Sequence, residues 1–483
     1  MSPIRPFDPQ TLLNQLRTLL GFNYVRTGAD AHAFHTDERN RYHHAPLAVV
    51  LPESVEQISQ IVQLCTNHTP KIALIAQGGN TGLVGGCAVL EHTPSIIVNL
   101  TRLNRILAID PQNQTMTVEA GVTLAQVQQH AAAHGLLFPL SLASEDSATI
   151  GGNLATNAGG TQVLRYGTMR ELCLGLEVVL ADGQILTELN TLRKNNTGYD
   201  LKQLFIGAEG TLGIITSAVL KLYPQPVQRQ VALIGTTDLA QLMRAFVMLR
   251  QNLDAHLNAF ELIAPYALQL VCTHLNCVHP WAHSGSDHLY SALIEITHTD
   301  GNAEANADAL LSPLNQLLEQ HVITHALIAD SLSQAEHLWQ LREQISAAQK
   351  AIGKNVKHDV SVPLSAIAEF IAQTDAALEH AYPGIQTVVF GHMGDGNVHF
   401  NVSAGSAFAN ADELMAHEEA INHIVYAQVA HYHGSISAEH GIGLLKKARM
   451  FEVKSTVELR LMRAIKRTLD PHNLMNPHKV LPE

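Results

Sequence analysis

Two histidines flank a predicted turn in residues 388–402, which read VVFGHMGDGNVHFNV. An apolar run, a Gly/Asp/Asn turn and a second apolar run predict a β-hairpin. With Asp395 and Gly396 as the two turn residues, His392 lies directly opposite His399 on one face. The Cβ atoms of such a pair are roughly 4.5–5.5 Å apart. The sequence therefore predicts two imidazoles that face each other.

A carboxylate near this pair would complete a divalent-metal site of the His₂-Glu type with open positions. Glu439 can supply it, because residues 437–443 (SAEHGIG) are framed by glycines that let the backbone come close. We predict His392, His399 and Glu439 as ligands, with zinc as the favoured ion. The alternative is two histidines that only hydrogen-bond near a turn, and the second segment with Glu439-His440 favours the metal.

A glycine-rich loop follows the predicted strand 72–76, where residues 77–86 read QGGNTGLVGG. Such a loop lets backbone N–H groups converge on an anion such as a pyrophosphate. The spacing is neither G-x-G-x-x-G nor Walker A, so neither a Rossmann dinucleotide site nor a P-loop is indicated. The loop indicates an anion site, although a glycine-rich turn of this kind is often only a turn.

Residues 139–160 (PLSLASEDSATIGGNLATNAGG) are small, polar or glycine and show neither helical nor strand periodicity. Composition alone is compatible with a flexible linker. The segment lies between well-patterned elements rather than at a domain edge, which favours a buried, backbone-rich cofactor channel.

Regular elements surround these segments and would position them. Capping boxes at Ser54/Gln57 and Thr123/Gln126 predict two helix starts, and Asp182-Gly183 predicts a hairpin. The predicted strands are 47–51, 72–76, 96–100, 115–119, 231–235 and 290–296. The predicted helices include 239–249, one around 339–346 that puts Arg342 and Ser346 on one face, 412–432, and Thr456–Leu469.

Composition restricts the class of protein. A chain of 483 residues with 46% hydrophobic residues predicts two or three domains with large cores, and no run of 18 apolar residues indicates a membrane span. The net charge of −13 argues against nucleic acid as a partner. Five scattered cysteines and an N-terminus without the order of a secretory signal favour a reduced, cytoplasmic setting. The Cys272/Cys277 spacing suits no standard zinc motif.

Four of these segments together resemble the FAD domain of the vanillyl-alcohol oxidase/PCMH flavoprotein superfamily: 77–86, 144–160, 165–167 (RYG) and 207–213 (GAEGTLG). The later segments are similar to the type 4 branch, which includes D-lactate dehydrogenase, the glycolate oxidase flavin subunit and D-2-hydroxyglutarate dehydrogenase. The resemblance runs from about Tyr42 to the end of the chain.

The resemblance implies an α+β fold in three parts. A PCMH-type FAD-binding domain with two subdomains would span 1–225. An α+β cap domain carrying the metal-site hairpin would span 226–430, and 431–483 would return to complete the metal and FAD sites.

The resemblance also implies non-covalently bound FAD, because no clear residue for a covalent flavin link is present. The implied cofactor contacts are Gln77, Gly78, Gly79, Asn80, Thr81, Gly82, Pro139, Ser144, Asp146, Gly151, Gly152, Asn153, Thr156, Asn157, Gly210, Ile214 and Asn476.

The implied activity is oxidation of a D-2-hydroxy acid to the 2-oxo acid, with D-2-hydroxyglutarate favoured and D-malate or D-lactate as further substrates. In the 2-hydroxyglutarate branch an Arg, a hydroxyl residue and a Lys at the spacing of Arg342, Ser346 and Lys357 bind substrate carboxylates. Ser346 stands where Thr is expected, which keeps the hydroxyl. Asn401 and His440 would complete the substrate site, with His440 as general base beside the metal-bound hydroxyl.

Several alternatives stay open at this point. Within the fold, these are an oxidase that uses oxygen, a D-lactate dehydrogenase or glycolate oxidase-type flavin subunit, and a non-catalytic FAD-binding subunit. From another class comes a flavin-free metallohydrolase. The expected partners are a small 2-hydroxy acid and an electron acceptor such as a quinone or an electron-transfer flavoprotein, and a homodimer is left open.

Overall fold

A computed structural model describes residues 9–37, 39–285, 288–302, 306 and 308–482. The chain forms two compact units. The first comprises residues up to Gly159, Gly167–Gln225 and Glu439 onward, and the second comprises Gly160–Tyr166 and Pro226–Ala438. The sequence predicts domain boundaries at 225/226 and 430/431. The two units change at 225/226 and at 438/439 in this part of the chain.

The strands of the described residues are, in chain order, β1 (Val25–Arg26), β2 (Ala48–Val50), β3 (Ala73–Gln77), β4 (Ser95–Asn99), β5 (Ile106–Asp110), β6 (Thr115–Glu119), β7 (Leu136–Leu137), β8 (Cys173–Val179), β9 (Ile185–Glu188), β10 (Ile214–Lys221), β11 (Tyr223–Pro224), β12 (Gln228–Thr236), β13 (Leu257–Ile263), β14 (Tyr290–His298), β15 (His325–Ile328), β16 (Asp359–Ser361), β17 (Gln386–Gly391) and β18 (Asn397–Ser403).

The α-helices of the same residues are α1 (Pro9–Leu20), α2 (His32–His35), α3 (Val55–Asn67), α4 (Leu124–Ala132), α5 (Ile150–Thr156), α6 (Val163–Tyr166), α7 (Met169–Leu172), α8 (Lys202–Phe205), α9 (Leu239–Leu253), α10 (Pro265–Leu275), α11 (Leu311–Glu319), α12 (Leu332–Glu343), α13 (Ile345–Ala351), α14 (Ile367–Ala381), α15 (Ala411–Ala416), α16 (Glu418–His431), α17 (Met450–Val453) and α18 (Thr456–Leu469). In the part of the chain that is described, no helix is both long and apolar enough to cross a membrane.

The first unit contains two larger sheets. One has the order β1-β2-β4-β3, with β2, β4 and β3 parallel. A parallel connection requires a crossover, and α3 supplies it between β2 and β3. The apolar faces of α1 and α3 pack on this sheet, with Leu16, Ile58 and Ile61 fully buried. The other sheet is antiparallel, in the order β5-β6-β10-β8-β9.

Local signals predict several elements of this unit correctly. Ser54 accepts a hydrogen bond from the backbone of Gln57, and Thr123 and Gln126 form both halves of a capping box. The hairpin at Asp182-Gly183 is confirmed, since β8 and β9 pair on either side of it. Side chain–backbone hydrogen bonds of this kind depend only on near neighbours in the chain, which is why sequence finds them.

The second unit is built on a seven-stranded antiparallel sheet in the order β15-β12-β14-β13-β17-β18-β16. Helices α10, α12 and α13 cover it, and Trp339, Leu341 and Ile345 lie in the shared core. Strand β16 is an edge strand whose register sets Asp359 opposite His399. The helix predicted over 412–432 is two helices, α15 and α16, which are separated at His417.

Candidate active site

A cavity of ≈ 300 Å³ lies within the first unit, where the glycine-rich loop 77–86 meets the segment 144–160. Most of the predicted cofactor residues line it: Gln77, Gly78, Gly79, Asn80, Thr81, Gly82, Ser144, Gly151, Gly152, Asn153, Thr156, Gly210 and Asn476. Residues far apart in sequence thus contribute to one wall.

Two glycines make the close approach of these loops possible. A Cβ on Gly78 would lie 2.1 Å from Thr149 Oγ1, and a Cβ on Gly79 would lie 1.8 Å from the Ser147 carbonyl oxygen. Both distances are far below van der Waals contact, so a Cβ at position 78 would displace the Thr149 side chain and a Cβ at position 79 would displace the Ser147 backbone. Thr149 therefore belongs to the wall of the cavity, and sequence analysis had not singled it out.

Two asparagine side chains of the cavity wall each have a buried polar atom without a hydrogen-bond partner among the described residues. These atoms are Asn153 Nδ2, a donor, and Asn476 Oδ1, an acceptor. An unsatisfied buried polar group costs about 1–3 kcal/mol. A ligand rich in hydrogen-bonding groups would remove that cost, so the residues present fit a dinucleotide such as FAD.

Four predicted cofactor residues do not line the cavity: Pro139, Asp146, Asn157 and Ile214. Asn157 instead ends helix α5 in the left-handed conformation, with φ of 51°, and its Oδ1 accepts the backbone N–H of Arg170 at 2.9 Å. Ile214 is fully buried in the core, whereas its neighbour Ile215 reaches the cavity, because side chains alternate along a strand.

Gln77 lines the cavity, but its side-chain amide is used within the protein. Its Nε2 donates to the Phe34 carbonyl at 2.7 Å, and its Oε1 accepts from Asn99 Nδ2 at 3.0 Å. The backbone of Gln77 is therefore the part of this residue that is available to a cofactor.

Glu439 and His440 line the same cavity as the glycine-rich loop. His440 Nε2 lies 3.5 Å from Glu439 Oε1, and both side chains are mostly buried. Thus the predicted general base and a predicted metal ligand lie in the wall of the proposed flavin cavity, within a single unit.

The predicted register of the hairpin in the second unit is wrong. Strand β17 ends at Gly391, and Phe390, not His392, pairs with His399. The connection covers residues 392–396 instead of two residues. It is stabilised by its own hydrogen bonds: Asp395 N–H and Asn397 N–H both donate to the His392 carbonyl oxygen.

The two histidines are nevertheless close, although His392 lies in the loop and His399 on β18. The ring centroids of His392 and His399 are 5.6 Å apart, in an edge-to-face arrangement. The proximity predicted from the sequence is present, but a loop produces it rather than a cross-strand pair.

Glu261, at the centre of the sheet on β13, organises His392. Its Oε1 lies 2.8 Å from His392 Nδ1, and its Oε2 accepts from Arg342 Nε at 2.8 Å. The carboxylate is 1% exposed. Burial raises the pKa of Glu261, but His392 and Arg342 outweigh this effect and lower the pKa to about 2.

A carboxylate that accepts from one nitrogen of a histidine fixes the tautomer and leaves the lone pair on the other nitrogen. The Glu261 bond therefore places the lone pair of His392 on Nε2, as a metal ligand requires. Sequence analysis missed Glu261, because nothing local indicates that a residue of β13 lies beside the hairpin.

Asp359 is a second acidic residue that sequence analysis missed. It is buried, lies opposite His399 across β16 and β18, and one of its oxygens is within 4.8 Å of a His399 nitrogen. Its Oδ1 accepts from Asn397 Nδ2 at 2.9 Å. Asp359 is thus positioned as a further metal ligand or as an acceptor for His399. The alternation HDVSV could have indicated this edge strand.

The predicted substrate residues of the second unit differ in their surroundings. Arg342 is buried at the end of α12, whereas Ser346 is exposed on α13, because the helix breaks at Gln344. The prediction of one helical face is therefore wrong. Lys357 is half-buried just before β16.

The side chain of Asn401 makes two hydrogen bonds within the protein. Its Oδ1 accepts the His358 backbone N–H at 3.2 Å, and its Nδ2 donates to Gln349 Oε1 at 2.9 Å. These bonds connect β18 to α13 and to the segment before β16, and the amide keeps one further N–H and one further lone pair.

Two family models match the chain. The FAD binding domain matches residues 46–188, and the C-terminal domain of FAD linked oxidases matches residues 225–480.

Curated relatives extend over nearly the whole chain. A D-2-hydroxyglutarate dehydrogenase of Xanthomonas citri pv. viticola is 39% identical over 94% of this chain and 93% of its own length. The corresponding protein of Stutzerimonas stutzeri is 36% identical over 98% and 99%. A putative mitochondrial D-lactate dehydrogenase of Schizosaccharomyces pombe is 37% identical over 93% and 85%.

Solved structures share the fold at lower identity. A p-cresol methylhydroxylase aligns with a TM-score of 0.75 and 20% identity over 98% of this chain and 96% of its own. An alkyldihydroxyacetonephosphate synthase aligns with a TM-score of 0.73 and 17% identity over 98% and 85%. These similarities confirm the predicted α+β fold of the PCMH type.

Proposed function

The chain belongs to the family of FAD-linked oxidases, and we propose that it oxidises a D-2-hydroxy acid, with D-2-hydroxyglutarate preferred, to the 2-oxo acid. An FAD-dependent oxidoreductase follows from the family. The flavin-free metallohydrolase considered above is not supported, because both family models describe FAD-linked proteins.

One observation carries the proposal: His440 lies in the wall of the same cavity as the two predicted flavin-binding loops. Oxidation of an alcohol needs a group that takes the hydroxyl proton while the hydride leaves the same carbon. When bound, FAD supplies the hydride acceptor. His440 would take the proton on an imidazole nitrogen, and the buried cavity wall would keep bulk water away from the reacting carbon.

For the metal, we propose His392, His399 and Glu439 as the ligands, with Asp359 as a candidate fourth. Support comes from Glu261, which orients His392, and from chain connectivity. The backbone N–H of Ala438 donates to the Asp359 carbonyl oxygen at 3.3 Å. The segment that ends at Ala438 therefore lies beside β16, and Glu439 is the next residue along the chain. A bound divalent ion would supply Lewis acidity toward a hydroxyl group. Zinc suits this mixture of imidazole and carboxylate.

For the substrate, we propose that Arg342 and Lys357 bind a second carboxylate. Arg342 uses only Nε to bind Glu261, so the fork formed by its terminal nitrogens has the geometry for a further carboxylate. Lactate has a methyl group at this place and offers no acceptor to the guanidinium fork. This argument, together with the names of the relatives, favours a dicarboxylate.

The purified protein tests the proposal directly. It should carry FAD with an absorbance band near about 450 nm, and D-2-hydroxyglutarate should bleach this band without oxygen. A screen of D-malate, D-lactate and glycolate in parallel separates the alternatives within the family. Stopped-flow reoxidation in air then distinguishes an oxidase from a dehydrogenase that needs a quinone or an electron-transfer flavoprotein. A protein without flavin, or a flavin that no 2-hydroxy acid reduces, would contradict the proposal.

A further inference from the structure

We propose that Glu209 is a positioning residue that fixes the loop carrying Glu439 and His440. The role rests on the function proposed above, because it matters only if these two residues bind metal and substrate. Glu209 lies in the first unit, within residues 207–213, and lines the cavity together with Glu439 and His440.

The carboxylate of Glu209 binds two consecutive backbone amides. Its Oε1 accepts the N–H of Ile442 at 2.7 Å, and its Oε2 accepts the N–H of Gly443 at 2.8 Å. Ile442 follows His440 by two residues. Charge-assisted bonds of this length are about twice as strong as neutral ones. They therefore hold the turn that follows His440 in one position.

The backbone on both sides is shaped for this contact. Glu209 itself has a left-handed φ of 52°, and Gly441 has a φ of 84°. A Cβ on Gly441 would lie 2.9 Å from Glu209 Oε1, and a Cβ on Gly443 would lie 2.3 Å from the Val84 carbonyl oxygen. Glycine at both positions lets the turn approach the carboxylate and the glycine-rich loop.

Other bonds tie the same turn to the cofactor cavity. The backbone N–H groups of Leu444 and Leu445 both donate to the Val84 carbonyl oxygen, and Val84 belongs to the glycine-rich loop. Asn476 Nδ2 donates to the Glu209 carbonyl oxygen at 2.8 Å, which fixes the backbone of Glu209 itself. Together, these bonds fix the position of His440 relative to the flavin-binding loops.

Keeping a carboxylate at this position is costly, since Glu209 is 8% exposed. Burial raises its pKa, and the two amides together with Lys446 and Lys479 act in the opposite direction. An apolar side chain would fill the same space without that cost. The two bonded amides give the reason for an acid here.

Position matters for a general base, because proton transfer needs heavy atoms within about 2.6–3.2 Å. A displacement of about 1 Å can lower the rate by about 10²-fold. A loosened turn should thus reduce the rate of flavin reduction without removing FAD.

The test compares Glu209→Gln with Glu119→Gln. Glutamine keeps the shape but can accept only one of the two amides. Glu119 is a matched control, since it is also buried in the first unit and binds Arg105, away from the cavity. For Glu209→Gln we expect wild-type FAD content, a lowered Tm because one buried amide loses its acceptor, faster hydrogen exchange of amides 441–445, and anaerobic flavin reduction by D-2-hydroxyglutarate slowed about 10–100-fold. The substrate concentration that gives half the maximal reduction rate should change little, and the control should match wild type in FAD content, in exchange of amides 441–445 and in the rate of flavin reduction.

Gly441→Ala perturbs the same contact from the other side and should give the same pattern, which covers the case in which Glu209→Gln does not fold. Wild-type exchange and reduction rates in both variants would overturn the inference, as would loss of FAD with normal exchange, which would make Glu209 a cofactor ligand. If the wild-type flavin is not reduced by any 2-hydroxy acid, the proposed function fails, and the exchange data still decide whether Glu209 fixes the turn.

Discussion

At the residue scale, the proposed chemistry of the second unit depends on the single buried carboxylate of Glu261. Both its partners are residues that the sequence had assigned to other tasks: His392 to a metal and Arg342 to a substrate carboxylate. The shared carboxylate couples these tasks, because it orients the histidine and balances the positive charge of the arginine at the same time.

The first prediction concerns this coupling. Glu261→Gln leaves only one oxygen for two donors, so His392 loses its fixed tautomer, and we expect a loss of about 10–100-fold in divalent-metal affinity. Competitive titration with a chromogenic chelator measures it. Glu295→Gln, a buried carboxylate on the neighbouring β14 that binds Arg229 and Trp339, is the matched control. Equal metal affinity in both variants would show that the Glu261–His392 bond does not contribute to metal binding.

Arg342→Lys tests the substrate assignment and retains a cation beside Glu261. Lysine lacks the planar fork, so kcat/KM for D-2-hydroxyglutarate should fall far more than kcat/KM for D-lactate. Parallel steady-state assays on the two acids measure the difference. Equal losses on both would assign Arg342 to the common carboxylate or to the fold.

His440→Ala should retain FAD and metal yet lose roughly 10²–10⁴-fold in turnover, because the hydroxyl proton has no acceptor. Turnover, FAD absorbance and bound metal are measured on the same preparation. His423→Ala, an exposed histidine on α16, is the control. Loss of the metal together with activity would instead make His440 a ligand.

At the element scale, the hairpin β17–β18 shows where a local pattern fails. The two apolar runs identified both strands, but the loop between them is five residues long because its backbone bonds to the His392 carbonyl. Loop length decides register, and a shift of the pairing changes every cross-strand neighbour. The partner of His399 is consequently Phe390 on one side and Asp359 on the other.

Helix α14 carries a buried carboxyl group that makes the free energy of unfolding depend on pH. Asp375 lies on α14, and burial raises the pKa of its carboxyl to about 6, although the Thr387 hydroxyl acts in the opposite direction. Between the unfolded and folded pKa values the folded state binds more protons. Stability must therefore fall as pH rises through about 4–6 and stay level above it.

Asp375→Asn removes this dependence. We expect the variant to be more stable than wild type above pH 6, by about 1–3 kcal/mol, and similar to it near pH 4. Urea unfolding at the two pH values measures the difference. Parallel pH dependence in both proteins would show that Asp375 is not the group responsible.

At the scale of the whole molecule, the sequence predicted features that depend on near neighbours in the chain or that are shared with a family. Helix caps, the glycine-rich loop and the resemblance to FAD-linked oxidases all predicted features that the structure or the comparisons confirm. Glu261, Asp359 and Glu209 were missed for a common reason. Each contacts a residue that is far away in the sequence. Only the order of the strands or the packing of the loops brings the two residues together.

The central claim is that this chain uses FAD to oxidise D-2-hydroxyglutarate, and a single-turnover reaction without oxygen tests it most directly. The purified protein is mixed with D-2-hydroxyglutarate, and flavin absorbance and 2-oxoglutarate are measured on the same sample. We expect complete bleaching with one 2-oxoglutarate per flavin reduced, because hydride transfer consumes one substrate per flavin. We also expect slower bleaching by D-lactate. A flavin that stays oxidised, or one that D-lactate reduces faster than D-2-hydroxyglutarate, would contradict the account.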